Sequence, residues 1–315
     1  MGFEKITGYF KSSNGVNDIA YYVYTPKTGG IKGVVQLVHG MCEYLTRYEP
    51  FAEFLCDRGY AVTGHDHLGH GASVNSDEEL GFFAEKNGWR YLVKDMVTLS
   101  GMMKKRFEGK PFFIIGHSMG SLVLRTALTK YSHIYDGAVI MDTISAGLGI
   151  NAALAGIEAI GKLKGKRSRS RLIDGILFGF SNARLKTPET RYDWICTDMN
   201  VVRAYAEDPK CTFLFTTQAM YDLAMMVKYV SAADWSAKTD KALPVLVMGG
   251  SEDPVGEYGK YPKELFNCLV NSGAQDVEFK LYDGLRHELL NEVGKEEIFG
   301  DIYSWLESHV EKGVV

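Results

Sequence analysis

Short, uninterrupted apolar runs alternate along this chain with longer stretches in which apolar residues recur every three or four positions. The short runs are Val34–Val38, Tyr60–Thr63, Phe112–Ile115, Ala138–Met141, Val245–Met248 and Val277–Leu281, each bounded by Gly, Pro, Asp or His. Apolar runs of this length predict strands covered on both faces, as in a mostly parallel sheet. The stretches Tyr48–Arg58, Trp89–Phe107, Ser118–Tyr131, Tyr261–Asn271 and Lys295–Val310 predict helices; the last puts Ile298, Ile302, Trp305 and Leu306 on one face. Ahead of them, Glu4–Lys11 and Ile19–Tyr24 flank the turn residues Ser13-Asn14-Gly15 and predict a hairpin. Strand–helix alternation of this kind predicts an α/β fold with a doubly wound sheet.

The rhythm breaks once. After the run ending near Asp142, the next strand signal begins near Leu243. A gap of about a hundred residues is too long for an unstructured loop in a compact domain. Its content is helical, for example Asn200–Glu207 and Thr217–Tyr229. The expectation is a core of residues 1–142 and 243–315 with a mostly helical cap, 143–242, inserted into it.

Composition narrows the class. The 315 residues are 46% hydrophobic and 23% charged, values of a globular chain that needs no disulfide or metal to fold. A net charge of -4 offers no general attraction to nucleic acid. Five irregularly spaced cysteines form no C-x-x-C pair and suit a reducing compartment. Glu4 and the lack of an apolar run near the N-terminus speak against a secretory signal, and Ile6 stands where a myristoylation motif wants Ser or Thr. A cytoplasmic protein is expected.

Gly116-His117-Ser118-Met119-Gly120 lies between an apolar strand signal and a helix signal, the context of the G-x-S-x-G nucleophile elbow. Such a turn holds Ser118 above the sheet, and the flanking glycines avoid collision with neighbouring backbone. A serine hydroxyl needs a base, and the base an orienting acid. In this architecture the chain order is Ser, acid, His. Of the histidines downstream of Ser118, His133 comes before any later strand end can supply an acid, and His309 sits in the terminal helix, where an exposed ring is expected. His287 follows the last strand and is the expected base. The strand Val245–Met248 runs into Ser251-Glu252-Asp253-Pro254, so Asp253 is the expected acid, with Glu252 and Asp283 as neighbouring alternatives. An oxyanion hole takes one amide from the residue after the nucleophile, Met119, and one from an earlier strand end, here Met41 after His39-Gly40. Gly40 is expected to let the backbone approach the substrate.

These residues, taken with His39-Gly40-Met41-Cys42-Glu43-Tyr44-Leu45-Thr46-Arg47-Tyr48, Asp66-His67-Leu68-Gly69-His70-Gly71, Asp253-Pro254-Val255 and His287-Glu288, resemble the monoacylglycerol lipase and lysophospholipase branch of the α/β-hydrolases. The resemblance covers almost the whole chain, including Asp193-Trp194 and Asp208-Pro209. It implies a serine triad of Ser118, Asp253 and His287, no cofactor, and acyl esters with one long chain as substrates. The chain departs from the branch at Cys42, where a smaller residue is usual, and at Tyr44, where the branch has His.

Three other readings stand beside this one. A short-chain or aryl esterase would use the same triad. A metal-dependent hydrolase would use His65, His67 and His70, whose spacing nearly spells a binuclear zinc motif but has Gly69 in place of its Asp. A catalytically inactive hydrolase fold could serve as a binding module. In the cap, apolar Ile144–Ile160 precedes a basic run of Lys162, Lys164, Lys166, Arg167, Arg169 and Arg171. A basic run is usually a solvated loop; the alternative is an interfacial lid making transient contact with a membrane surface.

Overall fold

The computed structural model describes residues 2–147, 149–179 and 181–310. Leu148, in the apolar opening of the expected cap, lies outside them. Eight strands form one sheet: β1 (Phe3–Lys11), β2 (Asp18–Pro26), β3 (Gly33–Val38), β4 (Tyr60–His65), β5 (Phe112–His117), β6 (Gly137–Met141), β7 (Val245–Gly250) and β8 (Val277–Tyr282). Their spatial order is β1-β2-β4-β3-β5-β6-β7-β8. β1 and β2 are the expected hairpin, and β2 also pairs antiparallel with β4. All later pairings are parallel.

Each residue of β3 to β7 is buried, which is why their sequences run apolar without alternation. β8 departs from the expectation. It closes the sheet, and Leu281 is 40% exposed, because an edge strand is covered incompletely.

Helices α1 (Glu49–Cys56) and α9 (Lys295–Val310) cover one face, burying Phe51, Leu55, Ile302 and Trp305. Helices α2 (Gly88–Arg106), α3 (Met119–Tyr131) and α8 (Lys260–Asn271) cover the other, with Leu99, Leu122 and Leu265 in its core. His309 is buried, not exposed as expected. Its Nδ1 lies 2.6 Å from the Trp305 carbonyl and its Nε2 lies 3.2 Å from Asp276.

Between β6 and β7 run α4 (Ile150–Lys164), α5 (Arg171–Phe178), α6 (Met199–Glu207) and α7 (Thr217–Val230). Side-chain caps start three of them: Ser170 on the Ile173 amide, Asp198 on Asn200 and Thr216 on Ala219. α7 packs against α4 on one side and against α2 and α3 on the other, so Met220 and Met226 share a core with Leu122 and Val123. The basic run is partly a tether. Arg169 donates to the carbonyls of Glu78, Leu80 and Leu214, and Arg167 pairs with Glu85.

Candidate active site

The turn from β5 into α3 places Ser118 in the left-handed region, at φ 52° and ψ -118°. A non-glycine residue holds such a conformation only where its surroundings over-determine it. Here the Ser118 amide donates to Met141 of β6 (3.1 Å), and its carbonyl accepts from the Ser121 amide (2.9 Å) and hydroxyl (2.6 Å). Gly120 is obligatory, because a Cβ there would lie 2.0 Å from the Val38 carbonyl oxygen.

His287 Nε2 lies 2.8 Å from Ser118 Oγ. Its Nδ1 lies 3.0 Å from Asp253 Oδ2. The Asp253 carboxylate also accepts from the amides of Val255 (2.9 Å) and Gly256 (3.0 Å), which sets its orientation. All three side chains are buried. The fold thus brings Ser118, Asp253 and His287 into one line from three strand ends. Glu252 is not part of it, and Asp283 accepts from Ser251 (3.1 Å) at the surface.

Met41 and Met119 line the cavity in front of Ser118, with His287, Ile144, Trp194, Leu223 and others. Gly40 lies at a close approach of the backbone to the elbow. Its amide is taken by the Glu43 carboxylate, and a Cβ at this position would lie 3.1 Å from Ser118 Cβ and 3.2 Å from His117 Nδ1. The glycine lets the loop after β3 approach the elbow.

Residues 29–294 match the family described as serine aminopeptidase, S33. The chain belongs to that family of α/β-hydrolases. It is 29% identical over 298 residues to a monoacylglycerol lipase of Mycolicibacterium smegmatis, covering 93% of this chain and 94% of the relative. It is 24% identical to the human monoglyceride lipase, covering 90% and 85%. Among solved structures, a thermostable carboxyl esterase from Bacillus coagulans superposes with a TM-score of 0.90 at 26% identity, covering 98% of this chain and 99% of that one. The protein is a serine hydrolase with the α/β-hydrolase fold.

In this hydrolase, motif reading missed the polar network behind Ser118, Asp253 and His287. Glu43 and His117 are buried, with Glu43 Oε1 2.9 Å from His117 Nδ1 and 2.9 Å from the Tyr48 hydroxyl. His117 Nε2 lies 2.9 Å from the main-chain carbonyl of His287. Both ring nitrogens therefore face oxygen acceptors, so the ring is an imidazolium. Burial opposes that charge, yet the Glu43 hydrogen bond and charge lift the His117 pKa to about 9. Burial likewise works against Glu43, but His117 and Arg47 hold its carboxyl well below the usual carboxylate range. Arg47 reaches Glu43 (3.1 Å) and, in a bidentate grip, Glu288 (2.8 and 2.7 Å). The Arg47 guanidinium thus ties the segment after Met41 to the loop carrying His287. Asp142, also unforeseen, is fully buried at φ 48°, and burial next to Asp253 pushes its pKa well up.

The two departures from the branch face the insertion. The Tyr44 hydroxyl donates to Asp208 (2.6 Å), and the Cys42 thiol lies 3.3 Å from the Phe213 carbonyl.

The histidine cluster does not converge on a metal position. His67 Nε2 faces the His39 carbonyl (3.2 Å), His70 Nε2 accepts from the Cys42 amide (3.3 Å), and His70 Nδ1 faces the Leu68 carbonyl (3.0 Å). Burial lowers His65 to about 3 and His70 to about 4, keeping both rings neutral. His67 and His70 tie the end of β4 to the loop after β3, and His65 packs its ring against His67 and Phe10. Among the described residues, the group whose ligand atoms come within reach of one cation is Asp276, Glu278 and His309. It joins the start of β8 to the end of α9, and none of its members lines the cavity.

Proposed function

We propose that this protein hydrolyses monoacyl carboxylic esters, monoacylglycerols or lysophospholipids, through an acyl-enzyme on Ser118. The observation that carries the reading is the 2.8 Å approach of His287 Nε2 to Ser118 Oγ inside a cavity walled by apolar insertion residues such as Ile144, Ile195, Phe213 and Leu223. In the first step Oγ bonds to the ester carbonyl carbon while its proton passes to His287 Nε2. The Met41 and Met119 amides donate hydrogen bonds to the developing oxyanion. Asp253 holds the proton on Nδ1 and stabilises the imidazolium. His287 then gives its proton to the leaving alcohol, and water, with His287 as base again, releases the acid. No step calls for a cofactor.

In this reading residues 143–242 act as a cap that forms the acyl pocket. Relatives from Mycolicibacterium smegmatis and human bear the name of monoacylglycerol or monoglyceride lipase, and they support the long-chain assignment. The likeness to the Bacillus coagulans carboxyl esterase favours a second reading, a short-chain carboxylesterase with the same triad. The cap would touch lipid surfaces transiently: Leu163, Leu172 and Ile176 are exposed on α4 and α5 beside the basic run. No helix among the described residues is long and apolar enough to cross a membrane. Five free thiols suit the cytoplasm.

The test is a fluorophosphonate probe with mapping of the adduct, followed by a panel of p-nitrophenyl esters, a monoacylglycerol and lysophosphatidylcholine. The proposal expects labelling at Ser118 and turnover that rises from acetate to decanoate. Labelling elsewhere removes the nucleophile assignment; acetate outpacing decanoate gives preference to the short-chain esterase.

A further inference from the structure

Arg125 on α3 is 3% exposed, and among the described residues no carboxylate pairs with it. A buried cation without a counter-ion is costly unless fixed dipoles replace its water. The dipoles come from the two ends of the insertion. Nη1 donates to Thr143 Oγ1 (3.0 Å) and to the Ile144 carbonyl (3.0 Å), where the chain leaves the sheet. Nη2 donates to the Val230 carbonyl (2.9 Å), at the last residue of α7. That carbonyl belongs to the negative end of the helix dipole. The guanidinium lies 4.7 Å from the Trp235 ring centroid, and Trp235 Nε1 donates back to the Arg125 carbonyl (2.9 Å).

A second link joins the same two segments without Arg125. Ser231 Oγ accepts from the Ala146 amide (2.7 Å) and lies 3.3 Å from Ser145 Oγ. On the inner side, Thr143 Oγ1 also meets Ser121 Oγ (2.8 Å), whose hydroxyl holds the Ser118 carbonyl. Arg125 therefore stands between the helix that carries the nucleophile and both departures of the insertion. Two cavity residues follow directly from the segments it grips: Ile144 itself, and Leu223 on α7.

We infer that Arg125 is a positioning residue that fixes the insertion over the nucleophile and thereby sets the preference among acyl-chain lengths. It touches no reacting atom; it acts through Ile144 and α7. The three donor directions it uses come from a rigid planar fork, which a lysine ammonium cannot reproduce even though it keeps the charge. The inference rests on the reading above that the insertion forms the acyl pocket.

The test compares Arg125→Lys, Arg125→Met and Ser231→Ala with the wild type on p-nitrophenyl acetate and decanoate, together with the rate of fluorophosphonate labelling and the unfolding midpoint. For Arg125→Lys the expected result is a decanoate KM raised about tenfold, the size of losing one charge-assisted hydrogen bond. Acetate kcat and the labelling rate should stay within about threefold, a split that a merely structural loss would not produce. Arg125→Met should show the same split, more strongly. Ser231→Ala, which leaves the buried cation intact, should move the decanoate-to-acetate ratio in the same direction by about threefold, and it decides the matter if the arginine variants fail to fold. An unchanged ratio in the folded variants, or an equal fall on both esters, overturns the inference. The wild-type ratio tests the long-chain reading separately, because the change on substitution reports on Arg125 whichever ester the wild type prefers.

Discussion

On the core side of the cavity, Glu43, His117, Ser118 and His287 are all buried, and each is bonded to a residue from another part of the chain. On the insertion side, the cavity is lined by Ile144, Ile195, Phe213 and Leu223, apolar side chains packed into the core without directional bonds of their own. The contrast fits what each wall does in the proposed reaction. Proton transfer and oxyanion stabilisation depend on groups placed within a few tenths of an ångström, so the core wall is made of satisfied, directional polar contacts. Apolar contact with an acyl chain, the role proposed for the insertion wall, is non-directional and scales with area, so that wall can use side chains that need no fixed partner. A change on the core wall should therefore damage every substrate alike, and a change on the insertion wall should sort substrates by length.

The largest effect tests the core wall at its centre. Ser118→Ala should lower kcat by at least roughly 10⁴-fold on every ester while leaving a residual rate above that in water. Steady-state kinetics on acetate and decanoate esters, with loss of phosphonate labelling, measure it. Asp253→Asn should lower kcat by on the order of 10⁴-fold, because His287 loses its orienting acceptor, and Glu252→Gln should do little. The reverse pattern would move the acid by one residue.

One step outward, Glu43→Gln leaves a buried imidazolium at His117 facing an amide. Breaking such a pair should cost about 3–5 kcal/mol of stability in denaturant titrations. It should also cost about a hundredfold in kcat through displacement of the His287 loop, equally on both esters. The same pair carries a pH signature. With the folded His117 pKa at about 9 against about 6.5 for a free imidazole, its contribution to stability is fully present below pH ~6.5 and is lost as pH rises through about 9. Wild-type stability should fall across that alkaline window, and Glu43→Gln should flatten the fall.

The insertion wall should answer differently. Ile144→Asp combined with Leu223→Asp should reduce kcat/KM on decanoate by tenfold or more while changing acetate by less than about threefold, since each buried methylene contributes roughly 0.8 kcal/mol. An equal loss on both would mean that the two walls are not separable. The smallest effect belongs to the outer surface. Leu172→Ser with Ile176→Ser should slow hydrolysis of monoacylglycerol presented in anionic vesicles by about threefold and leave soluble esters unchanged.

Much of this arrangement was legible in the chain. The central strands are buried on both faces, so their apolar runs stood out without ambiguity, and the elbow announced itself because its glycines and serine must follow a strand and open a helix. The order Ser, acid, His then left His287 and Asp253, which the fold brings into line. The pattern failed where burial does not follow from local sequence. His309 looked like a surface residue of an amphipathic helix, but the ring fills a gap against Trp305 and Asp276. The basic run is exposed, as a solvated loop would be, but no local pattern marked the three carbonyls of neighbouring segments that Arg169 bonds.

Chain periodicity and one strand–turn–helix signature were enough for the α/β architecture, the turn that holds Ser118 and the run of helices between β6 and β7, because each of these depends on residues adjacent in sequence. The bond from Glu43 to His117 spans 74 residues, that from His117 to His287 170, and that from Arg125 to Val230 105. No local pattern marks such partners. Their charge states and roles exist only once the sheet has brought strand ends together and burial has removed the water that would otherwise have served each group.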